Sequence, residues 1–357
     1  MLTKEKLTLK DILGDPISRE EAYDIICSSP IALAQFYGLS AEHQEDILAF
    51  IQGNKGLPIL YDGFYKYVLD PERHPERLES FLSELFGQQV TIEQVLTKEG
   101  IQLSEVGTLV VMDIIVRLSD GSIVDVEMQK HGYLFTGERS SCYMSDMVMR
   151  QYNRVRDREK ERFKFSQMKP VYLIILMENS TKEFKEVAPI FIHRMHCAMD
   201  SGVKLNLLTN LVYISLDTFH SVSQNIDSNI EAWLTFLSSD KPEDIMKLVE
   251  KYPEFKDCYR DIIMFRKRPE ELMNMFSEAL IQMDKNTVKY MIEEQQKEIE
   301  ENKRLLEESQ RELEENKKEL EESQKRLAES EAVIAEKDAV IAALQAEFAA
   351  QGLKIKE

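Results

Sequence analysis

The chain has 357 residues, 43% hydrophobic and 31% charged, enough for one large core with an appendage or for two domains. Its formal charge of -19 excludes a generally basic nucleic-acid binder, because phosphate affinity comes from clustered Lys and Arg that release counterions. Four dispersed cysteines (Cys27, Cys142, Cys197, Cys258), no export leader and no long apolar run argue against a secreted disulfide scaffold and a membrane span; a cytoplasmic protein is expected.

Residues 1–57 read as an N-terminal helical region, with EEAYDIICSS and SAEHQEDILAFIQ as its periodic pieces and GNKGLP as its close. Beyond it, PERLESFLSELFG places Leu78, Phe81, Leu82 and Leu85 on one helical stripe that stops at Gly87. QQVTIEQVL then alternates as a strand does, and two stronger strands follow, Leu109 to Leu118 and Ile123 to Gln129. A long helix is expected from about Glu138 to Arg162, then a buried strand from Pro170 to Met177. A further strand is expected from Leu211 to Leu216, and helices through Trp233 to Phe276. The order helix, three strands, helix, strand predicts an α/β fold, a mixed sheet with helices on its faces, over residues 58–286.

Residues 287–348 are a coiled-coil candidate, followed by a tail at 349–357. Ile292, Ile299, Leu306, Leu313, Leu320, Leu327, Ile334, Ile341 and Phe348 recur every seven residues, and EENKRLLEESQREL is nearly repeated by EENKKELEESQKRL. The second seam position is mostly polar (Asn302, Ser309, Asn316, Ser323, Ser330), which specifies register at the expense of buried apolar area. A parallel homodimer is expected; a lone solvated helix is the alternative.

DIIVRLSDGSIVDVEMQK, Asp113 to Lys130, puts acids inside two β-branched runs joined by a tight turn. With Asp120-Gly121 as a two-residue turn, Asp113 would face Met128. With Ser119-Asp120-Gly121 as a three-residue loop and Gly121 in the left-handed region, Asp113 faces Glu127. The second register puts Val111, Asp113 and Ile115 opposite Gln129, Glu127 and Asp125. It gathers Val110, Met112, Ile114, Val116, Val124, Val126 and Met128 on an apolar face.

Two adjacent carboxylates repel, so one holds its proton unless a cation sits between them. A hard divalent ion solves this; Mg²⁺ (or Mn²⁺) suits one or two carboxylates plus a substrate phosphate and can activate water against a phosphodiester. The competing reading is a polar outer face of a half-exposed hairpin.

One segment runs against the overall charge. Arg150 to Lys169, RQYNRVRDREKERFKFSQMK, carries eight basic and three acidic residues, among them Arg150, Arg154, Arg156 and Arg158. It is either a phosphate-facing surface or a solvated helix face with internal ion pairs. HRMHC offers His193 and His196 at i, i+3 without an evident acidic ligand, and there is neither a Gly-rich phosphate loop nor a Gly-x-Ser-x-Gly elbow.

Asp113, a hairpin, then Glu127-Met128-Gln129 resembles the active-site pattern of the PD-(D/E)XK nuclease superfamily, whose restriction-endonuclease-like core is αβββαβ. GLPILYDGFYKYVLDPERHPERLESFLSELFG, MDIIVRLSDGSIVDVEMQKHGYLFTGERSSCYMSDMVMRQYNRV and KPVYLIILM together resemble its bacterial family transposases, related to recombination-promoting nucleases, over roughly residues 40–220. The resemblance implies a metal-dependent endonuclease that cuts DNA for recombination or a mobile element. It also implies Asp113, Glu127 and the Met128 backbone carbonyl as metal ligands. Gln129 stands where most of the superfamily has lysine, and a neutral amide can orient water and phosphate but brings no charge. Lys130 is expected on the opposite face. Asp62, Glu79 and Asp125 are candidate accessory acids. Arg139, Tyr143 and Gln151 match the family's R…Y…Q helix pattern and are expected to reach DNA phosphates. The alternative is a non-catalytic coiled-coil interaction protein on a degenerate nuclease fold.

Overall fold

Alternating apolar residues in the middle of the chain build a six-stranded mixed sheet, seen in a computed structural model. It describes residues 7–57, 59, 62–98, 112–197, 199–203, 205–223 and 225–350, with the side chains of 62, 134, 277–301 and 349 left out. The chain divides into two units, Met1–Asn286 and Thr287–Glu357.

The first unit opens with four helices, α1 (Leu9–Leu13), α2 (Arg19–Cys27), α3 (Pro30–Tyr37) and α4 (Ala41–Gln52). Then come α5 (Asp62–Val68) and α6 (Pro75–Phe86). On α6, Leu78, Phe81, Leu82 and Leu85 are all buried, and Gly87 at φ 66° ends the helix in the left-handed conformation that only glycine adopts without strain.

Three antiparallel strands follow, β1 (Ile92–Val95), β2 (Ile114–Leu118) and β3 (Ile123–His131). The helix α7 (Gly137–Glu159) then returns the chain for β4 (Val171–Asn179), which lies parallel to β3. After α8 (Lys182–Lys185) come β5 (Ile192–Arg194) and β6 (Thr209–Ser215), giving the strand order β1-β2-β3-β4-β6-β5. The unit continues with α9 (Leu216–Val222), α10 (Asn229–Ser238), α11 (Pro242–Lys251) and α12 (Phe255–Ile263). The last helix, α13, runs from Pro269 to Ala350. Among the described residues no helix is long and apolar enough to cross a membrane.

The expected elements correspond to α6, β1, β2, β3, α7, β4 and β6, the helix, three-strand, helix, strand order of a restriction-endonuclease-like core. Three details differ. Residues 109–111 of the expected strand lie outside the described residues, and β2 begins at Ile114. Met112 joins the core on the opposite face from Ile114, because the chain is not yet in the strand's alternation there. The HRMHC segment includes a short edge strand, β5, so His193 and His196 are not one turn apart on a helix; His193 packs its ring on Phe184.

The sheet separates two cores. One contains Ile114, Val116, Val124, Val126, Met128, Ile174, Leu176 and Ile214 with α1–α6, α9–α12 and the start of α13. The other contains Ile115, Ile123, Leu173, Ile175 and Met177 under Tyr143, Met144 and Met147 of α7. The carboxylate face of β3 belongs to this second side, covered by α7 rather than open as a half-exposed hairpin face would be.

Candidate active site

Gly121 sets the register on which the site depends. Its φ of 89° and its N–H to the Leu118 carbonyl (2.8 Å) close a three-residue loop, and Ile114 then pairs with Val126, Ile115 with Asp125. This is the register expected from the sequence, and it carries Asp113 to Glu127. The Asp113 backbone N–H donates to Glu127 Oε1 at 2.9 Å, while the Met128 backbone N–H donates to Asp113 Oδ2 at 3.1 Å. Each carboxylate thus accepts an amide from the other's strand. Gln129 joins them, its Nε2 donating to Glu127 Oε2 at 3.4 Å.

A lysine the sequence reading did not single out completes this group. Lys66 Nζ lies 2.8 Å from Asp113 Oδ1. It comes from α5, whose Phe64 and Tyr65 are fully buried and whose Tyr65 hydroxyl donates to the Val126 carbonyl at 2.6 Å, between the two β3 acids. The only local signal was GFYK itself; no pattern within a seven-residue helix names a partner 47 positions away.

Asp125 and Glu127 are almost wholly buried, at 0% and 1% exposure. Burial, then the charge of Asp113, pushes Glu127 up to about 8, although the Asp113 amide, Arg139 and Lys66 draw it down. Asp125 is raised well above the usual carboxylate range by burial and by its neighbours Glu127 and Asp113. Tyr143 above them is pushed up to about 12, by burial and then by Glu127.

Mutually repelling carboxylates, with Glu127 raised by burial and by Asp113, are a donor set that a hard divalent cation would suit. Among the described residues no three His, Cys, Asp or Glu side chains converge as a ready cage. Asp113, Glu127 and the Met128 carbonyl are the groups here that could hold such an ion, with water and substrate completing its coordination.

The other candidates separate. The Asp62 side chain lies outside the described residues, and Glu79 is engaged elsewhere, its Oε1 accepting the Ile92 amide at 2.7 Å. Arg139 stands near the acids, its guanidinium over the Phe135 ring at 4.5 Å and donating to the Tyr143 hydroxyl at 3.0 Å. Arg150 is tied to Asp146 (2.6 Å) and the Thr97 carbonyl (2.7 Å), and its charge draws Asp125 down.

Gln151 is not aimed at a phosphate. It is fully buried, donates to the Gly121 carbonyl at 2.6 Å and accepts from Arg154, which holds the same carbonyl at 3.2 Å. The reason is direction: α7 runs back along the hairpin, so Arg139 and Tyr143 lie by Glu127 while Gln151 and Arg154 reach the turn. Six positions, about 20 Å of extended chain, separate Gly121 from Glu127.

The basic segment therefore lies beyond the turn rather than directly beside the acids. Arg156 and Arg158 are exposed there, Arg156 bonded to the Tyr152 hydroxyl and Arg158 to Glu159. The sequence reading also missed its aromatic component: Phe165, 74% exposed, is stacked on Tyr152, with Phe163 edge-on to both.

With this geometry in place, comparison with known proteins gives one family. The family model described as PD-(D/E)XK nuclease family transposase matches residues 60–291. No curated protein matches the chain, and no solved structure does.

Proposed function

The chain belongs to the PD-(D/E)XK nuclease family transposases, and from that premise we propose that it is a divalent-metal-dependent DNA endonuclease acting in recombination or for a mobile element. The observation that carries this reading is the Asp113–Glu127 pair on the helix-covered face of the sheet, locked by reciprocal amide bonds, with Glu127 buried and raised by burial and by Asp113. Nucleases of this family generally use divalent metals. Asp113, Glu127 and the Met128 carbonyl would hold Mg²⁺ or Mn²⁺, which when bound polarises the phosphodiester and acidifies water.

The protein's own groups do the positioning. Hydrolysis adds a water oxygen to phosphorus and breaks one P–O bond, leaving a phosphate monoester and a hydroxyl. Gln129, anchored on Glu127, orients the water or a phosphoryl oxygen by hydrogen bonding. Arg139 flanks the site as a phosphate contact, and the exposed Arg156 and Arg158, with the aromatic group around Phe165, extend the DNA-facing surface. In this reading residues 58–286 form the nuclease domain and 287–348 a coiled coil that pairs two copies.

The decisive experiment is plasmid nicking by the purified chain with Mg²⁺ or Mn²⁺ against EDTA, with Glu127→Ala alongside. Metal-dependent cutting that disappears in the variant is expected. Absence of cutting by the wild type across metals and substrates would favour a non-catalytic scaffold acting through its coiled coil, a reading in which Gln129 marks a lost function.

A further inference from the structure

We infer that Lys66 supplies, from a helix, the cationic group that Gln129 does not supply on the strand, stabilising the negative charge that builds on phosphoryl oxygens as water adds to phosphorus. The inference rests on the nuclease reading and names the residue that completes that site.

Lys66 is the nearby cation seen in direct contact with Asp113. Its Nζ is 2.8 Å from Asp113 Oδ1, the side chains being 29% and 15% exposed, so the ammonium sits at the site yet can be reached from outside. Arg139 is stacked on Phe135 and bonded to Tyr143, Arg150 is held by Asp146 and Thr97, and Arg154 is committed to the turn. Lys130 follows Gln129 by one residue, and strand alternation sends it to the other side of the sheet from Glu127 and Gln129.

The seat of Lys66 is rigid. Phe64 and Tyr65, the two residues before it in the helix, are fully buried, and the Tyr65 hydroxyl bonds the Val126 carbonyl. At Gly63 an added Cβ would come within 3.1 Å of the Met275 side chain, so α5 is packed closely against the start of α13. An ammonium has three N–H donors, enough to hold Asp113 and meet a phosphoryl oxygen together. A preorganised donor aimed at developing charge is the arrangement that accelerates such reactions most.

The test compares wild type, Lys66→Met, Lys66→Arg and Glu127→Ala in single-turnover cleavage at saturating Mn²⁺, with Mn²⁺ affinity by calorimetry and thermal melting in parallel. Lys66→Met is expected to melt cooperatively, to bind Mn²⁺ no more weakly than wild type, and to cut about 100- to 1,000-fold more slowly. Lys66→Arg, which keeps the charge, is expected to recover at least about tenfold of that loss. If Lys66→Met is unfolded, Lys66→Gln replaces it and the same rates decide.

Two results overturn the inference alone: wild-type cutting rates in Lys66→Met while Glu127→Ala is inactive, or weakened Mn²⁺ binding whose rate defect vanishes at saturating Mn²⁺. The second would reduce Lys66 to a brace for Asp113. A wild type that never cuts overturns the nuclease reading, and the role of Lys66 with it.

Discussion

At Glu127, burial and like charge act in the same direction, and the consequence is measurable without any DNA. Its carboxyl is raised from 4.5 to about 8, so between those values the folded chain holds a proton that the unfolded chain has released. The sign follows: this stabilising contribution is complete below about pH 4.5 and is lost as pH rises through about 8, at up to about 1.4 kcal/mol per unit. Asp125, raised for the same reasons, steepens the loss. Urea unfolding in EDTA should give a stability that declines from about pH 5 to about pH 9, and Glu127→Gln should flatten the decline. An ion binding the carboxylates must displace that proton, so Mn²⁺ affinity should rise over the same window. A pH-independent stability would show that the pair does not repel as its burial implies. The pairing of Asp113 with Glu127 was legible because one glycine sets the register. The burial of Asp125 was not, since Asp-x-Glu-x-Gln also describes a solvated strand face, and the cover comes from Tyr143, Met144 and Met147 on another element. Lys66 was equally hidden, its partner being fixed by how α5 packs.

Among the elements, α7 departs most from its expected role. The spacing of Arg139, Tyr143 and Gln151 placed them on one face, but a 23-residue helix is long enough for the two ends of one face to meet different things. Gln151 and Arg154 strap the hairpin turn whose Gly121 has φ 89°. Gln151→Ala should lower stability by about 1–3 kcal/mol, the range for leaving a buried partner unsatisfied, with DNA affinity nearly unchanged. Gly121→Ala should cost about 1–2 kcal/mol for its left-handed backbone, and more because the new Cβ would lie 3.2 Å from Lys169 Cγ. Melting temperatures and DNA binding by fluorescence anisotropy, measured together, separate these roles. Weaker DNA binding at unchanged stability would return Gln151 to the phosphate-contacting role. Both variants should also slow cleavage, since a slipped register moves Asp113 away from Glu127.

For the whole molecule, the central strands were legible because period-two alternation is strong in Ile123 to His131 and because Val171 to Met177 is a continuous apolar run, the mark of a strand buried on both faces. The three-residue β5 escaped because so short an edge strand has no period to read. The same logic at period seven governs α13. Leu306, Leu313, Leu320, Leu327, Ile334 and Ile341 are all more than half exposed in the single chain, an apolar stripe without a covering surface among the described residues. A second copy of the same stripe is the occupant its seven-residue repeat fits. Polar Ser309, Asn316 and Ser323 should hold the two helices in register while keeping the affinity moderate, and the apolar Leu344 and Phe348 strengthen the far end. Sedimentation should therefore find a concentration-dependent species of twice 41.5 kDa, and Leu313→Lys with Leu320→Lys should return it to 41.5 kDa without lowering the melting transition of the sheet-containing unit. A wild type that stays at 41.5 kDa at every concentration would leave α13 a solvated arm. If two copies do pair, each brings one Asp113–Glu127 site, and one site cuts one strand. The Lys variant should then nick plasmid at the wild-type rate per chain but yield fewer linear molecules, because coordinated cuts in both strands need both copies on the same DNA.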